Sequence, residues 1–567
     1  MSTAANCHVQ TPSGLPFTPG RRRVVFTPAS RSASNMINNS RVEYCFIRTC
    51  IVLLRLIGPA SVIYTLLAAI QIWFGSGEEE EWLLRLGWGW EVWIVAEAGF
   101  RLFMVWFRRR LQHEAVHPPV QTEEERKAFF EKLQSELNDP ERFLSGWFSG
   151  AHVDDIGRED IVEFLSWVFF EGRTTAAEVE ELEEYTAKLE DMLGRKFKAG
   201  RGTAKGLRLT IDPIEIDCRS LLWYTLMMIV DTTTHIRMLL YKYEYFGTTT
   251  SRLGVFPPRP ATLISAQKSP AKQMSYWLRP HTSKTRHPIL FIHGIGVGLF
   301  PYVEFLHEID QALNPQKPNH DEGQVGILAI EILPLSSRLT SPILTRDEFL
   351  TQLTQILHEA EFKTFVLVSH SYGSVSATHI LTNPCLASRV ASTLFIDPVT
   401  VLLHMPDVAF NFTRRKPKYA NEWQLFYFGS LDPNVAYTLG RHFHWKQNLL
   451  WREQILALVD AGVRVTVSLA SRDLIVDTQA VGTYLTQHRI PDPVVKRDKT
   501  GHESMTLETE RNGHADEWKF RAWQGQGLEV LWYEGLDHAQ VFDTPGSRAR
   551  LLNVVVGYSL GEAPARN

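Results

Sequence analysis

Cysteine is scarce in this chain, and the few cysteines present form no pattern. Five are scattered along 567 residues, at Cys7, Cys45, Cys50, Cys218 and Cys385. No two of them make a Cys-x-x-Cys pair. An odd, unpatterned set argues against a disulfide-stapled scaffold and against a zinc site built from thiolates. It favours a reducing compartment.

The chain also lacks an excess of charge of either sign. Lys and Arg number 59 against 63 Asp and Glu, which gives a formal net charge of −4. A general nucleic-acid-binding protein normally carries a basic excess, so we predict no nucleic-acid partner. With 44% hydrophobic and 22% charged residues, the chain is not wholly disordered. Its length predicts about two to four folding units.

The first 120 residues contain neither lysine nor aspartate. Residues 1–42 are rich in Ser, Thr, Pro, Asn and Arg, which predicts a disordered tail. Residues 56–74 then run for 19 residues without a charge, about 28 Å as a helix and close to the thickness of a bilayer core. We predict a membrane segment over residues 43–112 with a transmembrane helix at about 51–74. A buried core helix or a signal peptide fits this length and position less well.

A second apolar stretch, residues 86–107, contains Glu91, Glu97 and Arg101. On a helix these polar groups fall along one stripe, with Glu97 and Arg101 about 40° apart. The stripe permits either a second span packed against the first or an amphipathic helix in the membrane interface. Arginines before the first span and after the second stretch, with Glu78–Glu81 between them, predict that both ends face the cytosol. The organelle stays open, because an Arg-rich, acid-poor tail is also similar to a mitochondrial presequence.

Residues 120–250 have the pattern of a helical region. Thr122 and Glu125 form a capping-box signature, and residues 158–172 and 174–197 have apolar residues at helical spacing. The apolar run 221–230 is short for a membrane span and predicts a buried helix. No residue here indicates chemistry, so we interpret the region as a brace between the membrane segment and the rest of the chain.

From about residue 286, short apolar runs alternate with helical stretches, which is typical of a mostly parallel sheet. One predicted strand, KTFVLVSH, runs into Ser369-His370-Ser371-Tyr372-Gly373 and then into a helix. A tight elbow between strand and helix needs small residues two positions either side of its central serine, and Ser369 and Gly373 are small. The elbow would hold the Ser371 hydroxyl at the amino terminus of the helix, where developing negative charge is favoured.

These features resemble the α/β-hydrolase fold family, in particular its serine esterase and lipase branch. The resemblance covers residues 286–560, about half of the chain, and departs from the family at Ser369, where a glycine is usual. The expected fold class is α/β: a mostly parallel sheet flanked by helices, preceded by the helical region and by an N-terminal transmembrane helix or hairpin.

The resemblance implies roles for individual residues. Ser371 is the expected nucleophile of the elbow. The backbone N–H of Ile295, just after a His-Gly pair, and that of Tyr372 are the expected oxyanion-hole donors.

The family order of nucleophile, acid and histidine is met by two residues that each follow a predicted strand, Asp473 and His538. Asp397, at the end of the preceding strand, is the alternative acid. Asp537 is adjacent to His538 and is expected to point elsewhere in an extended segment.

Several other histidines invite a functional interpretation. His293 and His370 flank the predicted site, where packing and hydrogen bonding explain them. His442 and His444 suggest a metal pair, but the sequence offers no third ligand, so we interpret them as surface or lid histidines. The sequence therefore predicts no metal and no cofactor.

Residues 401–450 occupy the usual place of a lid between two strands, and we refer to them as the lid segment. Aromatic residues are dense there, which is compatible with an apolar acyl pocket or with contact to a bilayer. A simple covering of the sheet explains them almost as well.

The sequence thus predicts a membrane-anchored serine hydrolase, with its catalytic domain on the cytosolic side of a membrane. It would cleave a carboxylic ester or thioester by a Ser-His-Asp acyl-enzyme mechanism. The expected substrate is lipid-like, a membrane lipid or another ester. Two alternatives stay open: an acyltransferase that uses the same triad, and a catalytically silent scaffold of the same fold.

Overall fold

The computed structural model describes residues 39–74, 87–175, 178–265, 267–315, 323–486 and 516–561, and the backbone of 496–497 and 503–504. Residues 1–38 of the predicted tail and the acidic segment Glu78–Glu81 lie outside the described residues. The described chain begins with two long helices, α1 (Arg41–Phe74) and α2 (Trp88–Arg110). Within the described ranges, α1 is the one helix long and apolar enough to cross a membrane. It has 34 residues, a length of about 50 Å, and contains the whole predicted span.

Two residues of the polar stripe predicted on α2, Glu97 and Arg101, face protein. Glu97 is buried, and its carboxylate accepts hydrogen bonds from the N–H groups of Leu221 (2.9 Å) and Leu222 (3.2 Å). Arg101 donates to the carbonyl of Cys218 at 3.1 Å. Because a buried carboxylate needs such donors, these bonds fix α2 to the amino terminus of the helix that begins at Leu221.

The region between residues 120 and 265 is mainly helical. The capping box at Thr122 is present, with both of its reciprocal hydrogen bonds to Glu125. The helices are α3 (Glu123–Glu136), α4 (Pro140–Trp147), α5 (Arg158–Phe170), α6 (Val179–Leu193), α7 (Leu221–Leu240), α8 (Thr249–Leu253) and α9 (Pro260–Leu263).

Helix α7 differs from the expected short buried helix. It extends to Leu240, well past the apolar run. Only one side of the helix is buried, the side that carries Trp223 and Met227. Its other side exposes five large apolar side chains: Leu226, Ile229, Ile236, Leu239 and Leu240.

An eight-stranded sheet forms the centre of the carboxyl-terminal half. Its strands are β1 (Glu244–Phe246), β2 (Ser275–Arg279), β3 (Ile289–Ile292), β4 (Ile327–Glu331), β5 (Phe365–His370), β6 (Val390–Ile396), β7 (Arg464–Ala470) and β10 (Leu528–Tyr533). They lie side by side in the order β1-β2-β4-β3-β5-β6-β7-β10. Strands β1 and β2 are antiparallel to their neighbours, and the others run parallel. The short strands β8 (Lys496–Arg497) and β9 (Glu503–Ser504) pair separately. This sheet and the helices around it form an α/β-hydrolase fold.

The sheet begins earlier than the sequence indicates, because β1 and β2 precede residue 286. The predicted strands that follow residue 286 and the helix after the elbow are all present.

Both faces of the sheet are covered, so successive residues of the central strands belong to different cores. In β3, Ile289 and Phe291 pack on one side, whereas Leu290 and Ile292 pack on the other. A sheet buried on both faces explains why these strands are continuously apolar. The flanking helices are α10 (Val303–Leu313), α11 (Arg346–Glu359), α12 (Gly373–Leu381), α13 (Pro384–Ala387), α18 (Arg452–Asp460), α19 (Thr478–Thr486) and α20 (Pro545–Ser559).

The lid segment is a series of short helices between β6 and β7. They are α14 (Asp407–Thr413), α15 (Ala420–Gln424), α16 (Pro433–Tyr437) and α17 (Trp445–Asn448), with π-helical turns at Leu425–Ser430 and Thr438–His442. Helix α15 packs against α1, where the Arg48 guanidinium lies 3.7 Å from the centre of the Trp423 ring. The lid segment therefore contacts the apolar N-terminal helix directly.

Candidate active site

Ser371 lies at the turn between β5 and α12, in a strained backbone conformation. Its φ is +51°, in the left-handed region that non-glycine residues seldom adopt. The Ser371 N–H donates to the carbonyl of Ile396 in β6 at 2.9 Å, which ties the turn to the neighbouring strand. The side chain is buried, with 5% of the residue exposed.

Two glycines make room for this turn. A Cβ at Gly373 would collide with the carbonyl oxygens of Ile292 and His293 at the end of β3. A Cβ at Gly294 would lie 2.7 Å from the Cβ of Ser371. Close backbone approach, rather than chain flexibility, explains glycine at both positions.

His538 contacts both Ser371 and Asp473. Its Nε2 lies 2.8 Å from the Ser371 Oγ, and its Nδ1 lies 2.6 Å from the Asp473 Oδ2. Asp473 follows β7 and its side chain is fully buried, whereas 13% of the His538 side chain is exposed. These are the contacts of a nucleophile, a general base and an orienting acid.

Backbone groups hold the Asp473 carboxylate in place. Its Oδ1 accepts hydrogen bonds from the N–H groups of Ile475 (2.7 Å) and Val476 (2.9 Å). The second oxygen, Oδ2, is thereby directed to the imidazole.

Asp397, the alternative acid, is also buried near His538 but has other partners. Its oxygens accept from the N–H groups of Ala470 (3.2 Å) and Ala539 (3.0 Å), and its φ is +44°. Burial raises the pKa of this carboxyl to about 7, against the opposing effect of the His538 charge. Of the two candidate acids, the structure brings Asp473 into hydrogen-bond contact with His538.

The charges around His538 favour its protonated form. Burial alone would lower the pKa of the imidazole. The Asp473 charge and hydrogen bond, together with the Asp397 and Asp537 carboxyls, outweigh burial and raise that pKa to about 9. The site is therefore arranged to stabilise an imidazolium.

Asp537 makes hydrogen bonds near the triad that the sequence did not indicate. Its Oδ1 accepts from the N–H groups of His538 (2.7 Å) and Leu474 (3.0 Å), next to Asp473. Its Oδ2 accepts from the Asn421 side chain at 2.7 Å, in helix α15 of the lid segment. Asp537 thus joins the loops of His538 and Asp473 to the lid. Nothing in the sequence signals this link, because Asn421 and Asp537 meet only in the folded chain.

The two predicted oxyanion-hole donors adjoin the nucleophile. Tyr372 immediately precedes α12, and Ile295 follows Gly294, which packs against Ser371. Among the described residues, neither of these two backbone N–H groups has a hydrogen-bond acceptor. Both are thus available to an oxygen of a bound ligand.

The two flanking histidines take part in hydrogen bonds within the core. His293 donates from Nδ1 to the Gly294 carbonyl (2.7 Å) and accepts at Nε2 from the Ile332 N–H (2.9 Å). The Nδ1 of His370 lies 2.8 Å from the Tyr302 hydroxyl. Burial lowers the pKa of both rings, in His293 to about 4, so they are neutral at neutral pH.

A cavity of about 500 Å³ lies beside the elbow. Tyr372 and Val375 form part of its wall, and Ser371 and His538 are not among the described residues that line it. Apolar side chains from several segments complete much of the wall: Met274, Ile330, Leu333, Leu344 and Phe349. The cavity therefore adjoins the nucleophile through the residue that follows it.

Similar proteins were found only by comparison with solved structures. No protein-family profile and no curated protein sequence matches the chain. A naproxen esterase from Bacillus subtilis shares 12% identity, with 57% of this chain and 96% of that chain covered and a TM-score of 0.31. An esterase from Pyrobaculum calidifontis shares 10% identity, with coverages of 59% and 92% and a TM-score of 0.32. A membrane phospholipase A described as a bacterial virulence factor shares 11% identity, with coverages of 59% and 94% and a TM-score of 0.31. These values are too low to transfer the activity of any of these proteins to this chain.

Proposed function

We propose that this protein is a membrane-anchored serine hydrolase that cleaves a carboxylic ester or thioester through an acyl-Ser371 intermediate. The observation that carries the proposal is the position of His538, within 2.8 Å of the Ser371 Oγ and 2.6 Å of the Asp473 carboxylate. A serine on a strained elbow, next to a histidine oriented by a buried acid, is the arrangement that activates a hydroxyl for acyl transfer.

Each residue has a distinct task in this mechanism. His538 Nε2 removes the proton of Ser371 as Oγ attacks the carbonyl carbon, and the imidazolium then protonates the leaving group. Asp473 holds the Nδ1–H tautomer and stabilises the positive ring. The N–H groups of Ile295 and Tyr372 donate to the oxygen that becomes negative in the tetrahedral intermediate. Water, activated by His538 in the same way, releases the acid and restores the serine.

The apolar cavity beside Tyr372 supports a lipid-like substrate. Its volume is about 500 Å³, within the range of small-molecule sites, and much of its wall is aliphatic. An acyl chain buried there would gain about 0.8 kcal/mol for each methylene removed from water. In this mechanism the cavity binds the acyl chain of the substrate, and the ester bond lies at the elbow, beside Ser371.

The N-terminal helices support attachment to a membrane. Helix α1 contains a long apolar stretch of which only 17% is buried, and exposed tryptophans mark both ends of the connection to α2, at Trp73 and Trp88. Helix α7, fixed to α2 through Glu97, adds an exposed apolar side of its own. Exposed apolar surface of this extent is typical of contact with lipid. We propose that α1 spans the membrane and that the catalytic domain lies on its cytosolic side.

The test is covalent labelling of the full chain in membranes with a fluorophosphonate probe. We expect strong labelling of the wild type, in a membrane pellet that resists alkaline carbonate, and no labelling of Ser371→Ala.

Ser369→Ala is the matched control. Ser369 lies two residues before Ser371, in the buried strand β5, and its Oγ has no hydrogen-bond partner among the described residues. It should label like the wild type. Equal labelling of Ser371→Ala and wild type would refute the assignment of the nucleophile, and recovery of the protein in the soluble fraction would refute the anchor.

A further inference from the structure

A second cluster of histidine and carboxylate groups lies outside the catalytic triad. It consists of His117, in the segment between α2 and α3; Glu171, at the end of α5; and His444, immediately before α17. One ring nitrogen of each histidine and one carboxylate oxygen all lie within 4.8 Å of one another. Three segments that are distant in the sequence therefore converge at this point.

The hydrogen bonding of these histidines is incomplete. The Nδ1 of His117 lies 2.7 Å from Glu171 Oε2, but its direction does not fit a hydrogen bond. The Nδ1 of His444 is also buried, and within the described ranges it has no hydrogen-bond partner. Buried polar atoms without partners are rare, since each one loses its interaction with water.

Lys446 completes the surroundings of Glu171. Its Nζ lies 3.2 Å from Glu171 Oε1, so each carboxylate oxygen faces a different group. The side chains of His117, Glu171 and Lys446 are only 11–12% exposed. The positive charge of Lys446 would repel a metal ion bound nearby. Its ammonium group also holds Glu171, however, so that Oε2 faces the rings of His117 and His444. A partner that orients a ligating carboxylate in this way is common at metal sites.

We propose that His117, Glu171 and His444 bind a divalent cation of the zinc class. Two imidazole nitrogens and one carboxylate oxygen are a donor set that Zn²⁺ accepts, and a cation would satisfy both unpartnered nitrogens together. His117 and His444 also line the apolar cavity, so a fourth coordination position would open towards it. The ion would clamp the segment after α2 and helix α5 to the lid segment.

The experiment measures zinc on the full-length protein in detergent, after chelator treatment and reloading with ZnCl₂ alone. We expect one tightly held zinc per chain in the wild type. The double variant His117→Gln/His444→Gln should lose it, because glutamine keeps a similar size but replaces the ring nitrogen.

His358→Gln is the control for zinc bound at surface histidines, since His358 is exposed on α11. It should retain the ion. Ser371→Ala should also retain it, so the zinc result is independent of whether the proposed hydrolase activity is found.

A second variant covers the case in which the double variant fails to fold. His444→Cys keeps a metal ligand, so loading it with Co²⁺ should produce a thiolate-to-metal absorption band in the near ultraviolet that the wild type lacks. A wild type that keeps no zinc, a double variant that keeps as much as the wild type, or a His444→Cys protein without the band would each overturn the proposal.

Discussion

Two clusters in this molecule combine histidine with a carboxylate, and they differ in how the nitrogens are satisfied. In the first, both ring nitrogens of His538 are within hydrogen-bond distance, of Asp473 at 2.6 Å and of Ser371 at 2.8 Å. In the second, the Nδ1 of His117 lies 2.7 Å from Glu171 without the direction of a hydrogen bond, and the Nδ1 of His444 has no hydrogen-bond partner among the described residues. The same residue types therefore suit proton transfer in one place and metal binding in the other.

The carboxylates explain the difference. Asp473 is held by two backbone N–H groups, those of Ile475 and Val476, which are fixed by the chain. Its other oxygen, Oδ2, accepts the Nδ1–H of His538 and so orients the ring for proton transfer at Nε2. Glu171 is held by the side chain of Lys446, and its second oxygen lies beside His117 without alignment. A spherical cation does not need the directed geometry that a proton does.

The largest predicted effect concerns the acid of the first cluster. Asp473→Asn should lower kcat/KM for a short p-nitrophenyl ester by about 10³- to 10⁴-fold, because the amide favours the wrong tautomer of His538. Asp397→Asn should cost less than about tenfold, since Asp397 bonds to backbone N–H groups and not to the ring.

Steady-state kinetics of both variants, with zinc content measured in parallel, test this contrast. Both variants should keep the zinc of the second cluster. A large loss in Asp397→Asn with a small loss in Asp473→Asn would reverse the assignment of the acid.

The family order favoured Asp473 over Asp397, but the residue patterns around the two acids do not separate them. Asp397 and Asp473 each follow a buried strand, and β6 and β7 are neighbours in the sheet. The sequence predicted the elbow at Ser371 and the strand before His538, because apolar runs and small residues at fixed spacing carry that information. It did not carry the direction of each carboxylate, which depends on backbone donors in the loop after each strand.

Long-range contacts explain what else was missed. The sequence offers no third ligand beside His442 and His444, because His117 and Glu171 lie in segments far away along the chain. Strands β1 and β2 were also missed, because they are only three and five residues long and are defined by pairing, β1 with β2 and β2 with β4. Local pattern predicts elements well, but it does not predict which distant side chains meet.

The second prediction uses the pH dependence of the first cluster. The raised pKa of His538, about 9, keeps the imidazole protonated and unable to accept the Ser371 proton at neutral pH. The rate of fluorophosphonate labelling should therefore rise more than about tenfold between pH 7 and pH 9, and it should level off only above the pKa of His538, at about pH 10. In Asp397→Asn the plateau should begin at lower pH, because a negative charge near the ring is gone.

Circular dichroism over the same pH range checks that the fold persists. The raised pKa of His538 also makes the free energy of unfolding depend on pH. Since the folded pKa of His538 is above its unfolded value of about 6.5, its contribution to stability is complete below that pH and is lost as pH rises through about 9. A labelling rate that levels off below pH 6.5 would contradict the raised pKa, and with it the role of the surrounding carboxylates.

The smallest effect is expected at the link between the lid and the first cluster. Asn421 donates to Asp537 Oδ2, and Asp537 Oδ1 accepts from the His538 N–H. Asn421→Ala removes that donor without touching the triad. We expect kcat to fall about threefold while KM changes little, since a misaligned general base affects the transition state more than binding.

Asn434→Ala is a matched control in the same lid segment, because the Asn434 side chain bonds to Thr340 and not to the triad loops. It should leave kcat unchanged. If both variants lower activity equally, general loosening of the lid is the cause and Asp537 does not position His538. If Asn421→Ala alone lowers kcat, the triad depends on a contact with the lid helix that packs against α1, which would couple the base of the reaction to the proposed membrane anchor.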